Sequence, residues 1–196
     1  DREDFLWTSF FKELDWYMGV KSYLTTVKTR FEKPALVVDE AGLLDSQEET
    51  ALLTKLNEIS QRQKMDVVVL TVSSIYGSTP QEYADNYFDY NGYGQGSDHD
   101  GVLLLINMGQ RDWYISTTGY GIYAITDAGL NYISDKFLNH LSSGDYALAF
   151  NTYADLVDQF VTQAKTDTPY DSDSLPKDPL SLMWLPVSGL LALVVA

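Results

Sequence analysis

Four aspartates stand where apolar runs of this chain give way to loops. Asp39 follows the short apolar run 35–38. Asp98 and Asp100 lie in the glycine-rich stretch NGYGQGSDHDG, just ahead of the run 102–106, and Asp127 follows Thr126 at a predicted helix start. Hard divalent cations take carboxylate and carbonyl oxygens from loops of this kind, so the four form a candidate calcium site. The segment Asp98-His99-Asp100-Gly101 resembles part of a calcium loop, although the other ligands of an EF-hand are missing. The plainer reading is that these are solvated loop residues, with Asp127 suited to a helix N-terminus without any metal.

Other chemistries find less support. The absence of cysteine excludes disulfides, thiolate metal sites and thiol nucleophiles. His99 and His140 are the two imidazoles, and there is neither a G-x-S-x-G elbow nor an H-E-x-x-H pair. The glycines at 92, 94 and 96 lack the Lys-Ser/Thr of a phosphate loop, and their acidic neighbours repel phosphate. Arg111 is the one basic side chain offered by the central loops, which weighs against phosphoryl transfer.

The charge points the same way. Residues 1–34 balance six basic against six acidic side chains, so the whole net charge of −15 falls in 35–196. Such a surface repels nucleic acid and anionic headgroups and favours cations or a basic partner.

The elements that must hold these residues can be read from periodicity. Leu6, Phe10, Leu14, Tyr17, Val20, Leu24, Val27 and Phe31 recur every three or four residues, which predicts an amphipathic helix over 1–34. A short strand over 35–38 follows. Ser46 with Glu49 reads as a capping box, opening a helix with Leu52, Leu56 and Ile59 on one face. Residues 67–72 (VVVLTV) and 102–106 (VLLLI) are continuous apolar runs, expected of strands covered on both sides. Between them, Thr79-Pro80 starts a helix. Residues 107–110 read as a hairpin turn, 112–117 as the returning strand and 118–121 as a flexible loop. Thr126 caps the next helix, and a last helix presents Tyr146, Phe150, Tyr153, Val157 and Phe160. The order β-α-β-α-β-β-α-α predicts an α/β fold, a small mixed sheet with helices on both faces. The fourth strand's exit then lies near the third strand's entrance, which would bring Asp100 and Asp127 to one end of the sheet. Asp39 falls at the same or the opposite end depending on strand direction, so one or two cation sites are open.

Residues 166–179 form a polar linker. The uncharged run 180–196 (LSLMWLPVSGLLALVVA) then reads as the start of a transmembrane anchor continuing past residue 196, with Trp184 suited to the interfacial belt.

Taken in order, Val38-Asp39-Glu40-Ala41-Gly42-Leu43-Leu44, Tyr83-Ala84, Asp100-Gly101-Val102-Leu103-Leu104-Leu105, Gly119-Tyr120-Gly121, Thr126-Asp127-Ala128 and Gly144-Asp145-Tyr146 resemble the TPM domain family over about 35–165. The resemblance implies a three-layer α/β/α sandwich, usually extracytoplasmic and often tethered by a C-terminal membrane helix. Members are connected with divalent cations, acid phosphatase activity, photosystem repair and receptor modulation, roles that share no single chemistry. The resulting expectation is a TPM-like module on the extracytoplasmic side of the cell membrane. It would bind calcium or another divalent cation through Asp39, Asp98, Asp100 and Asp127 and act as an accessory or scaffolding protein. A metal-assisted acid phosphatase and a pure protein-interaction domain are the alternatives, the latter using 1–34 to dock a partner.

Overall fold

The two longest apolar runs become the centre of the sheet. The computed structural model describes residues 34–177. Within them run β1 (Val37–Asp39), α1 (Ser46–Gln63), β2 (Asp66–Val72), α2 (Pro80–Tyr90), β3 (Gly101–Asn107) and β4 (Asp112–Thr118). Three helices follow: α3 (Tyr120–Ala124), α4 (Asp127–Ser142) and α5 (Tyr146–Thr166). The sheet order is β1-β2-β3-β4. β1 and β3 both run parallel to β2, and β4 returns antiparallel to β3. Every residue of β2 and β3 is buried, as strands with helices over both faces require.

The two faces are identified by β4. Trp113 meets Phe137 of α4 edge-on, with ring centroids 5.5 Å apart. Ser116 donates to Asp85 of α2 at 2.6 Å. Side chains three apart on a strand point to opposite faces, so α4 lies over one face and α2 over the other. α5 packs against α4, α1 and β2, placing it in the layer of α4. Its buried residues include Phe150, Tyr153, Val157 and Phe160, the face expected from their spacing.

Two local expectations need correction. The capping box of α1 sits one residue earlier than Ser46 and Glu49. Asp45 accepts from the amides of Gln47 and Glu48, and Glu48 returns to the Asp45 amide. Both residues have a glutamate three positions on, and the aspartate adds a negative charge at the positive end of the helix. Residues 118–121 are not a loose loop: Thr118 completes β4, and Tyr120 opens the short α3 despite the flanking glycines.

No helix among the described residues is long and apolar enough to cross a membrane. The expected amphipathic helix, apart from Pro34, and the apolar run 180–196 lie outside the described residues. Past α5 the polar stretch lies on the domain at first. Tyr170 packs edge-on against Phe160 at 4.9 Å, and its carbonyl accepts from Thr126 Oγ1 at 2.8 Å.

Buried phenols give this core a pH limit. Tyr153 is fully buried, and burial pushes its hydroxyl well above its usual value of 10.0. Tyr93 is raised by burial first, then by Tyr87 and Asp66, and its hydroxyl donates to the Ala35 carbonyl at 2.7 Å. The unfolded chain releases these protons near pH ~10 while the folded chain retains them. Stability is therefore complete below about pH 10 and falls as pH rises further. Urea midpoints measured from pH 8 to 11.5 are expected to be flat at first and then to decline. Tyr153→Phe should move the decline to higher pH, and a midpoint unchanged throughout would contradict this account.

Candidate functional site at one end of the sheet

The entrance of β3 and the exit of β4 meet at Asp100. Its amide donates to the Gln95 carbonyl at 2.9 Å, and its own carbonyl accepts from the amides of Gln95 and Asp66, each at 3.0 Å. One carboxylate oxygen, Oδ1, accepts from the amide of Tyr120 at 2.6 Å, tying the loop before β3 to the first residue of α3. The other, Oδ2, has no hydrogen-bond partner among the described residues. A second aspartate braces the loop from beneath. Asp66, fully buried at the start of β2, accepts from the Gly94 amide at 2.9 Å and from Gln95 Nε2 at 3.0 Å.

This crossing requires glycine at two places. Gly119 has φ 53 and ψ −126, outside the regions open to L-residues. A Cβ there would stand 2.2 Å from Asp100 Oδ1 and 2.6 Å from the Asp98 carbonyl oxygen. Gly94 has φ 100, and its Cβ would come within 2.6 Å of the His99 carbonyl. His99 itself takes a left-handed φ of 52, and its carbonyl accepts from Thr118 Oγ1 at 2.6 Å. The side chains of Asp98 and His99 are exposed.

The four predicted cation ligands do not come together. Asp39 pairs in register with Thr71, near the far end of β2, whereas Gly101 pairs with Asp66 at its start. About 16 Å of strand therefore separates Asp39 from Asp100. Because β3 runs parallel to β1, the alternative that puts Asp39 at the opposite end holds. Asp39 there accepts from the Leu44 amide at 2.8 Å and from the Thr71 hydroxyl, which fixes the turn after β1. Asp127 is exposed in the first turn of α4, beside its cap Thr126. Among the described residues, no group of three or more His, Asp or Glu side chains is placed to hold a metal ion.

Lys165 was not singled out by its sequence context. It stands over the Tyr120 ring at 5.7 Å, donates to the Gln63 carbonyl and interacts electrostatically with Asp100. Burial lowers its pKa, the Asp100 charge opposes that shift and Lys64 adds to it. No motif marks it, because α5 brings it in from far along the chain. Arg111 falls in the turn between β3 and β4, roughly 20 Å of strand away from Asp100.

The pattern of the TPM domain matches residues 37–160, from the first strand to well into α5. The chain belongs to the TPM domain family. The UPF0603 protein YdjH of Bacillus subtilis (strain 168) is 28% identical over 120 residues, which make up 61% of this chain and 45% of that protein. This TPM domain chain thus spans less than half the length of that relative. Among solved structures, the N-terminal domain of a P. gingivalis protein superposes with a TM-score of 0.58 at 26% identity, covering 71% of this chain and 88% of that one. The N-terminal domain of the cg2496 protein from Corynebacterium glutamicum gives 0.53 at 19% identity over 76% and 91%. The latter likeness concerns the fold alone. The TPM match includes the Asp100-Gly101 crossing and the Gly119-Tyr120-Gly121 segment that closes on it.

Gly119→Ala should be costly for two reasons, a forbidden backbone conformation and the lost bond from Tyr120 to Asp100. About 2–4 kcal/mol of stability is expected to disappear. Gly144 also has positive φ but nothing within 4 Å of its would-be Cβ, so Gly144→Ala should cost only about 1 kcal/mol. Equal losses in denaturant unfolding would show that the close approach at Asp100 contributes nothing.

Proposed function

We propose that this TPM domain is a cation-binding module carried on the extracytoplasmic side of a membrane, with an accessory or scaffolding role. The observation that supports it best is the state of Asp100. One carboxylate oxygen is held by Tyr120, the other has no hydrogen-bond partner among the described residues, and the exposed Asp98 stands two residues away. Two carboxylates with loop carbonyls supply part of the six to eight oxygens that calcium takes, and water completes the shell. Asp127 adds negative charge beyond α3. So open a site suits the weak range of about 10⁻⁴–10⁻³ M found in extracellular modules, where calcium is abundant. The membrane part of the reading rests on the uncharged run 180–196.

The geometry is less favourable to a metal-assisted acid phosphatase. Arg111 is at the wrong end of the sheet to receive phosphate held near Asp100. Lys165 is close enough to favour that reading, but its ammonium is engaged by the Gln63 carbonyl and the Tyr120 ring. A pure interaction domain would place the emphasis on residues 1–34 instead.

Calcium titration tests the proposal. With calcium at a hundredfold the dissociation constant, binding to the folded state alone adds about 2.7 kcal/mol. That corresponds to a rise in melting temperature on the order of 5–10 °C. Asp100→Asn should remove most of the rise, and Asp39→Asn, at the other end, should keep it. No calorimetric heat and no thermal shift at several millimolar calcium, magnesium or manganese would sink the cation reading.

A further inference from the structure

The end of the sheet opposite Asp100 carries a pocket of about 510 Å³ between the β3–β4 turn and the junction of α4 with α5. That volume lies in the range of small-molecule sites. Its apolar wall includes Trp113, Leu138, Leu141 and Tyr146, each left half-buried by the fold. Trp113 is held from behind by its edge-on contact with Phe137, so this wall is built before anything binds. Arg111 and Asp112 also line the pocket.

Arg111 stands at the rim of this pocket. It is exposed, and among the described residues its guanidinium has neither an ion pair nor a hydrogen bond, although the chain carries a net charge of −15. Elsewhere Lys55 and Arg62 find Asp155 and Asp158. Its backbone is also left-handed, with φ 57, a conformation that glycine adopts without strain and arginine does not. The hairpin turn accounts for the backbone, and it leaves an unpaired guanidinium beside an apolar hollow, an arrangement suited to an anionic ligand.

We propose that this pocket binds a small organic monoanion, a carboxylate on an aromatic or branched aliphatic body. The body fills the hollow against Trp113, Leu138 and Leu141, and Arg111 takes the carboxylate through paired N–H donors. Asp112 narrows the choice, because the repulsion from its carboxylate grows with the ligand's charge and so weighs more against a phosphate dianion than against a monoanion. The site is independent of the cation reading, which concerns the other end of the sheet.

The test uses the full chain with 3-phenylpropionate as probe, followed by amide NMR shifts and calorimetry. Shifts should gather on residues 106–113 and 138–146 and leave 94–101 unmoved. The neutral 3-phenylpropanamide and the Arg111→Gln variant should each bind about tenfold more weakly or worse. Arg111→Gly separates ligand binding from folding: it should unfold at an equal or higher temperature than the parent and still lose the probe. No saturable binding at 5 mM on the order of the weakest ligands considered, shifts scattered elsewhere, or an Arg111→Gln variant that binds as well as the parent would each overturn the proposal. So would equal binding of the neutral amide.

Discussion

Two adjacent strands, Asp66–Val72 and Gly101–Asn107, are buried along their whole length, and the layout of the domain follows from covering them. Their parallel pairing requires a crossover, which α2 supplies. Their exposed faces require helices on both sides, which α2 provides on one and α1, α4 and α5 provide on the other. With both faces covered, polar chemistry is confined to the two ends of the sheet. Each end then takes its character from what the loops bring: carboxylates at the entrance of β3, and an apolar hollow with one arginine at its exit.

The same constraint explains the role of the polar residues found inside. Asp66 is fully buried, and the hydrogen bonds from Gly94 and Gln95 offset the desolvation of its carboxylate. Those bonds shape the glycine-rich loop above it, and the loop presents Asp100 to Tyr120. The order at the candidate cation site is thus borrowed from a carboxylate that has no access to solvent. Asp39 plays a comparable part at the other end through Leu44 and Thr71, which makes it a framework residue of the turn after β1.

Much of this architecture was legible from residue types. Continuous apolar runs located β2 and β3, and the period of the last helix marked its buried face. Thr79-Pro80 and Thr126 announced helix starts at the positions where those helices begin. The TPM resemblance is borne out by the domain match over residues 37–160. Placement in space was harder to read. Whether Asp39 joins Asp100 depends on strand direction, which hydrophobic pattern does not record. Lys165 reaches the site only because α5 packs beside α3, a tertiary fact with no local signature. The short α3 was hidden because Gly119 before it and Gly121 within it suggest freedom, whereas Gly119 serves there to let two backbones touch.

The path of the chain into and out of the domain gives the fold a direction. Ala35, ahead of β1, is held by Tyr93, and Tyr170, after α5, is held by Phe160 and Thr126. Both attachments lie on the side where β2 and β3 begin. The chain ahead of β1 and the chain after α5 are therefore both fastened at the same pole of the sheet. Force applied across these two attachments would load the packing of Tyr93 and Tyr170 before it reached the buried strands. The Asp100 crossing lies at this fastened pole, and the Arg111 turn lies at the other.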